Sequence, residues 1–555
     1  MFLPNPRLLT WPAATLLTLA ACVPDETGVD DANADADSSD GDGDGESTEA
    51  GQDEGTDEFG DTDTEPLSEI PALGIQISQV EANQGTAVII AEGGEWVAGP
   101  DRLGPLISKR NTLVRVHYTV DPGWVARDIQ AQLTITASDG TTKTFASSKT
   151  VDGDSMPNSL SGTFFFGLVA EAGDVEANSS FRVTLQEVDE AGRELAASAG
   201  LSEGTWQSPS EPGLLGIQPE PLQLKVVFVP FHHKFGGIDR LTDTSDATMQ
   251  VLADALYEQN PTHELIWSVH EPMTWEYEMT SLGAVMGPMS ALRENEQAFP
   301  NEYWAGLFPI PNGGVAGVAG IASVPSDGKG EGAQRVSVTA LGNDIVRAAE
   351  VDVHEVGHTQ GLAHVYCPYA EAASPDPAYP YANGLIGQWG FGILSFQLYS
   401  PDSFYDYMTY CNPTWVSTWS WDRNFYRIRT LTSWEGEAIG PEDQKPILMG
   451  SLAPDGSEFW WTVRGSLPSQ ASPFGDGRPQ YLEFHADGDL VATRPSVVHM
   501  LNDFETVWVM TELPEELAGL EGIDTIVRID ADLEAHPLPA HRVTLSARPR
   551  TITAD

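Results

Sequence analysis

The stretch VDVHEVGHTQGLAHVYC, residues 351–367, constrains this chain more than any other feature. A helix through its first half places His354 and His358 four residues apart, hence on one face, where both imidazoles can reach one metal ion. Gly361 can adopt the left-handed conformation that ends a helix, so that the chain turns back and presents His364 as a third ligand. Three protein ligands and one open position predict a catalytic zinc site rather than a structural one.

Glu355 lies beside these histidines, where its carboxylate can reach a water molecule at the open position. One alternative is that the residues coincide by chance, at a frequency of roughly one in ten thousand for the full pattern in a chain of this length. A second alternative is a degenerate site that binds zinc without turnover. The intact Glu355 argues against the degenerate site.

The segment HEVGHTQGLAH resembles the extended zinc signature HExxHxxGxxH of the metzincin metallopeptidases, and DYMTYC resembles their Met-turn, with Met408 under the metal. Tyr410 stands where astacin-like and serralysin-like members carry a tyrosine that approaches zinc. The segments RNTLVRVHY, LKVVFVPF and YPYANGLIGQWGF look most like secreted bacterial proteases related to mucin-degrading zincins. The resemblance covers about residues 220–430.

The resemblance implies a zinc-dependent endopeptidase in which His354, His358 and His364 hold the metal. It further implies that zinc activates a water, and that Glu355 takes the proton of this water and passes it to the leaving amine. Tyr410 either stabilises the oxyanion of the transition state or is a packing residue of the Met-turn, and both roles stay open from the residues alone.

A disulfide between Cys367 and Cys411 is also implied, because the segments after the third histidine and after the Met-turn methionine meet in the metzincin arrangement. An oxidising compartment outside the cytoplasm permits the bond. Two buried free thiols are the alternative.

Short alternating strands predict β structure on both sides of the zinc motif. TLVRVHYTV alternates apolar and polar residues, and LTITASDGTTKTF is typical of a hairpin turned at Asp-Gly, so we expect a β-sandwich over residues 71–205. EFWWTVRG, QYLEFHADGDLVATR and ETVWVMTEL predict a second β-sandwich over residues 436–555.

The region between these β domains has a mixed pattern. The Pro-, Ser- and Gly-rich stretch at residues 206–221 indicates a linker. LQLKVVFVPF, TSDATMQVLADALYEQ and HELIWSVHEP then read as strand, helix and strand, the opening of an α/β unit that we extend over residues 222–435. The predicted fold is thus multidomain, with an α/β (α+β) catalytic domain, metzincin-like by the resemblance, flanked by two β-sandwich domains.

The N-terminus predicts export and a lipid anchor. Residues 1–22 combine one Arg, an apolar run and LAAC, which resembles a bacterial lipobox with Cys22 as the lipidated residue. The alternative is an ordinary signal peptide with an incidental Cys22. Residues 23–70 are predicted to be a disordered acidic tether, because residues 25–65 carry 18 Asp or Glu and no Lys or Arg. A calcium loop at DGDGDGES is the disfavoured alternative, since no helices flank it.

The formal net charge of −54 argues against nucleic acid as a partner, because phosphate binding needs clustered basic residues. The expected protein is a zinc endopeptidase anchored at the cell envelope, or secreted, that cleaves extracellular proteins or glycoproteins and touches the membrane only through its N-terminal lipid. The alternatives are a surface adhesin or glycan-binding protein with a vestigial zincin domain, and hydrolysis of a bond other than a peptide bond.

Overall fold

The computed structural model describes residues 67–219, 221–369, 374–469 and 480–546, which belong to one compact unit. The predicted lipid signal, Cys22 and most of the acidic tether lie outside these residues. Within the described part of the chain, no helix has both the length and the apolar character needed to cross a membrane. The prediction of a multidomain, β-rich α+β protein is confirmed.

Two antiparallel five-stranded sheets come first in the chain and share one hydrophobic core. The alternation seen in the sequence explains this packing, since Val114, Val116 and Tyr118 all point into that core. The first sheet contains Ile70–Pro71, Arg127–Thr136, Thr142–Val151, Ser180–Glu187 and Gln207–Leu214. The second contains Ile75–Asn83, Ala87–Glu92, Glu95–Trp96, Thr112–Val120 and Phe164–Leu168.

The prediction of a linker over residues 206–221 is wrong for most of that segment. Gln207–Leu214 is a strand that pairs with Ser180–Glu187, and Ile217–Gln218 pairs with Leu106–Ile107. The prolines are tolerated because Gln207–Leu214 has a partner on one side only and its register shifts along the pairing. A short helix, α1 (Glu190–Ser198), precedes this strand.

A mixed seven-stranded sheet forms the centre of the molecule. Its middle strand, Gln223–Phe235, pairs in parallel with Glu302–Pro309, which in turn pairs in parallel with Val336–Leu341. Gly320–Ala322 adds to Val336–Leu341 as an antiparallel edge strand. The other strands are Ile238–Leu241, Glu264–Val269 and Met273–Trp275.

Helices cover both faces of this sheet. On one face α2 (Asp246–Gln259), α4 (Ile345–Thr359) and α5 (Thr418–Ser433) share a hydrophobic core with the strands, and on the other lies α3 (Gly283–Asn295). The predicted strand–helix–strand opening at residues 223–269 is therefore confirmed. Four short strands follow α4: Gly390–Gly392, Gln397–Tyr399, Tyr405–Asp406 and Thr414–Trp415.

The C-terminal strands form one continuous antiparallel sheet, so the predicted second two-sheet sandwich is wrong in topology. The long strand Asp489–Met500 joins two halves, because its first part pairs with Gln480–Ala486 and its last part with Val507–Glu512. Trp460 and Phe484, from different halves, meet in one cluster, so the sheet curls on itself. The remaining strands are Lys445–Leu452, Glu458–Gly465, Thr525–Ile529 and Ala535–Pro539.

The C-terminal sheet also packs against the central one. Met449, Trp461 and Trp508 share a cluster with Met286 and Met289 of α3. Side chains alternate between the two faces of a strand, so the residues next to these three, such as Leu448, Trp460 and Val509, point to the other face of the curled sheet. This contact brings the turns of the C-terminal sheet close to α4.

Candidate metal centre

Helix α4 carries the first two histidines and ends just before Gly361, as the sequence predicts. The side chain of Asp344 accepts a hydrogen bond from the Arg347 amide and caps the N-terminus. Gly361, just after the helix, has φ of 93°. This conformation requires glycine, and a side chain there would also displace the Arg427 guanidinium.

The turn at Gly361 brings His364 back to the other two histidines. The Nε2 atom of His358 lies 3.1 Å from Nε2 of His354 and 3.1 Å from Nε2 of His364. Two nitrogens bound to one tetrahedral zinc ion, each about 2.1 Å away, would be about 3.4 Å apart. The three rings thus converge on one point as a metal site requires, and all three are buried.

Backbone carbonyls fix which ring nitrogen faces that point. Nδ1 of His354 lies 2.7 Å from the Tyr407 carbonyl, and Nδ1 of His358 lies 2.8 Å from the Leu362 carbonyl. A carbonyl only accepts, so each Nδ1 donates and each Nε2 keeps its lone pair for a ligand. Burial lowers the pKa of His354 to about 4 and that of His358 well below its usual value, so both rings are neutral at pH 7. This donor set fits zinc.

Met408, the methionine of the segment that resembles a Met-turn, packs against α4. It is fully buried, and a Cβ on Gly357 would lie 2.7 Å from its sulfur atom. The Met408 carbonyl accepts from the Val365 amide at 2.9 Å, so this segment holds the chain beside His364. Gly357, in the last turn of α4, has no side chain and so lets the two segments approach this closely.

The Tyr410 hydroxyl reaches the metal-facing side of the centre, 2.9 Å from Nε2 of His364. The side chain is 42% exposed, so it borders the solvent side of an otherwise buried cluster. Burial of its inner part, followed by the charges of Glu355 and Asp503, raises the pKa of the phenol, which keeps the proton at neutral pH. This position favours a chemical role over packing alone.

Cys367 and Cys411 form a disulfide, so that prediction is confirmed. The bond links the segment after His364 to the segment after Met408. The loop that it closes contains Met408 and Tyr410, and His364 lies three residues before it.

Glu355 is buried on the same face of α4, and burial raises the pKa of its carboxyl well above the usual value. A Cβ on Gly320 would overlap this carboxyl, so the edge strand Gly320–Ala322 passes directly against it. Asn502 of the C-terminal sheet donates from Nδ2 to Oε2 of Glu355 at 2.8 Å. No sequence pattern points to Asn502, which is 147 residues from Glu355 and belongs to no ligand spacing.

The other histidine-containing groups have simpler accounts. His232 pairs with Asp239 and His233 with the Tyr277 carbonyl, so these neighbours do not share an ion. Asp530 and His536 form a second candidate cluster together with Glu534. Asp530 already accepts the backbone amides of its own turn, which explains that arrangement without a metal.

Comparisons with known proteins find only distant structural similarity to this chain. No protein-family model matches it, and no curated protein matches it. Among solved structures, a calcium-binding mutant of Bacteroides uniformis β-glucuronidase 2 is 12% identical, with 42% of this chain and 28% of that chain covered and a TM-score of 0.11.

A putative β-galactosidase from Bacteroides fragilis is 10% identical, with 85% and 74% of the two chains covered and a TM-score of 0.13. The chain thus spans about a quarter of the length of the β-glucuronidase. With TM-scores this low, neither likeness bears on the function of this chain.

Proposed function

We propose that the chain is a zinc-dependent endopeptidase whose residues 222–435 form a metzincin-like catalytic domain. The observation that carries the proposal is the convergence of three buried Nε2 atoms, from His354, His358 and His364, beside the carboxyl of Glu355. Two of these rings are held in the metal-binding tautomer by backbone carbonyls. The proposed substrates are extracellular proteins or glycoproteins.

Each remaining group at the centre has a defined task in this reaction. Zinc, when bound by the three histidines, supplies the Lewis acidity that polarises a peptide carbonyl. Glu355 takes a proton from the attacking water and passes it to the leaving amine, which its buried, hydrogen-bonded carboxyl suits. The Tyr410 hydroxyl keeps its proton and donates a hydrogen bond to the oxygen that becomes negative.

We propose further that export and lipidation at Cys22 place this enzyme at the cell envelope. The lipobox-like LAAC and the acidic run after it support this placement. Mass spectrometry of the mature N-terminus is the direct measurement. A soluble wild-type product with an unmodified Cys22 would contradict the anchor but leave the catalytic proposal standing.

The catalytic proposal is tested by exchanging the base while keeping the ligands. Purified protein should contain one zinc ion, cleave unfolded casein, and lose activity with a chelator and regain it with zinc. Glu355→Gln should keep the zinc and the fold but lower the cleavage rate by roughly 1,000-fold, because proton transfer is removed.

Glu350→Gln is the matched control, since Glu350 is an acidic residue of the same helix that pairs with Arg347. It should cleave casein at the wild-type rate. His358→Ala should lose the metal instead. Equal rates for Glu355→Gln and the wild type would end the proposed mechanism.

A further inference from the structure

A turn of the C-terminal sheet reaches into the metal centre. Residues 501–506 connect the strands Asp489–Met500 and Val507–Glu512. The turn is closed by a hydrogen bond from the Leu501 amide to the Thr506 carbonyl, at 2.9 Å, and by Asp503, which accepts the Thr506 amide at 2.8 Å. Its residue Asn502 is only 3% exposed.

Asn502 makes three hydrogen bonds to two parts of the catalytic unit. The backbone N–H of Ala322 donates to Oδ1 of the Asn502 side chain at 2.8 Å. The backbone N–H of Asn502 donates to the Ala322 carbonyl at 3.3 Å. The third bond runs from Nδ2 of Asn502 to Oε2 of Glu355, at 2.8 Å. One side chain therefore joins the edge strand to the carboxyl on α4.

The orientation of the amide is set by its partners. The Ala322 backbone offers an N–H, which only an oxygen can accept, so Oδ1 must face Ala322 and Nδ2 must face Glu355. Because Glu355 is buried, water cannot easily replace this donor.

We infer that Asn502 is a positioning residue for Glu355, so that the catalytic site is complete only with the C-terminal sheet in place. This inference rests on the proposed function. The hydrogen bond from Asn502 to Oε2 limits rotation of the Glu355 carboxyl. It also leaves Oε1 as the oxygen that exchanges the proton. Asn502 acts through Glu355, whereas Phe504 of the same turn packs against the ring of His364, with 5.6 Å between the ring centroids.

Two substitutions separate this role from a merely structural one. Asn502→Asp keeps an oxygen for the Ala322 amide but replaces the donor to Glu355 with a second carboxylate. Asn502→Ala removes both side-chain bonds. Asn301→Asp is the matched control, because Asn301 makes the same kind of bond to the carboxylate of Glu435, at 3.1 Å.

The measurements are kcat and KM for peptide cleavage by the zinc-loaded protein, zinc content, and amide hydrogen exchange of Ala322 without metal. We expect both Asn502 variants to lower kcat roughly 10- to 100-fold with KM changed less than about twofold and zinc retained. Ala322 should exchange faster in Asn502→Ala and at the wild-type rate in Asn502→Asp. Asn301→Asp should match the wild type throughout.

The outcomes distinguish this inference from the proposed function. A wild-type kcat in Asn502→Asp would overturn the positioning role while casein cleavage still supports a peptidase. A raised kcat in Asn502→Ala would identify the turn as an obstruction to substrate and would also overturn it. An inactive zinc-loaded wild type would remove the proposed function and this role together. If Asn502→Ala fails to fold, the nearly isosteric Asn502→Asp decides.

Discussion

Burial controls the protonation of single residues at the candidate metal centre. The same removal from water keeps His354 neutral and raises the pKa of the Glu355 carboxyl. A neutral imidazole is what a metal requires, and a carboxyl with a raised pKa is better matched to proton exchange near neutral pH. The centre therefore obtains both kinds of group from one property, its low exposure to solvent.

Tyr410 gives a test of how the oxyanion is stabilised. Tyr410→Phe should lower kcat roughly 100-fold, because a donor that acts in the transition state is lost. Zinc content and KM should stay nearly unchanged, since neither depends on that hydroxyl. Tyr366→Phe, at a half-exposed tyrosine before the disulfide, is the control. An unaltered kcat in Tyr410→Phe would return this residue to a packing role.

His499 predicts an acid-sensitive fold. It is 1% exposed, and burial lowers its pKa from 6.5 to about 4. Between these values the unfolded chain binds a proton that the folded chain does not, so the free energy of unfolding falls as pH drops from 6.5 towards 4. The full loss is up to about 3 kcal/mol for this group.

Urea unfolding of the metal-free protein from pH 7 to pH 4 measures this effect. His499→Leu should reduce the slope of that part of the pH dependence without abolishing it, because the buried His354 and His358 of the metal-free protein also take up protons on unfolding. Leucine at the exposed His541 should leave the slope unchanged. A slope in His499→Leu equal to that of the wild type would show that His499 contributes nothing to the acid sensitivity.

At the scale of elements, the centre depends on two segments held against each other. Helix α4 supplies His354 and His358, and the Met408 segment supplies the floor and the carbonyl that orients His354. The close approach at Gly357 fastens the Met408 segment to α4, and the disulfide fastens the same segment to the chain after His364. The convergence of the three histidines therefore depends on these contacts and not on the helix alone.

Removing the disulfide should loosen these contacts. The bond closes a loop of 44 residues, which restricts the unfolded chain by about 4 kcal/mol in the loop-entropy model. The double variant Cys367→Ala, Cys411→Ala should unfold at a lower denaturant concentration and bind zinc more weakly.

The wild type in reductant should behave like that double variant, and thiol titration of the unfolded, unreduced wild type should find neither of these cysteines reactive. Equal unfolding midpoints for the wild type and the variant would show that the bond contributes nothing to stability.

At the scale of the whole molecule, the β sheets at either end are fastened to the central unit by buried polar residues. Asn502 does this for the C-terminal sheet, and Arg110 does it for the N-terminal sheets. Arg110 is fully buried and donates to the carbonyls of Gln84, Thr262 and Tyr257 at 2.7–2.8 Å. The three parts should therefore unfold together.

Arg110→Met tests this coupling. The substitution leaves several buried carbonyls without their donor, so the free energy of unfolding should fall by roughly 3–5 kcal/mol. Urea unfolding followed by tryptophan fluorescence measures it. Arg182→Met, at a more exposed arginine of the N-terminal sheets, should change it by less than about 1 kcal/mol. A small effect at Arg110 would mean that the N-terminal sheets are stable without this contact.

Much of the candidate site can be predicted from the local spacing of residues in the sequence. The helix, the two histidines on one face and the left-handed Gly361 follow from short-range rules, and each is present in the structure. The disulfide came from a family resemblance and is also present. The strand at residues 112–120 and the face to which each of its side chains points can also be predicted from the sequence, because that face depends only on the residue's place in the strand.

Tertiary structure decided which strand edges pair and which distant residues meet. The proline-rich segment Gln207–Leu214 is a strand only because a neighbouring edge was open to it. The C-terminal strands form one curled sheet because the long strand Asp489–Met500 pairs with a different partner along each half. Asn502 reaches Glu355 only because that sheet packs on α3. Periodicity encodes what a segment becomes, whereas its partners depend on all the other surfaces that must be buried at once.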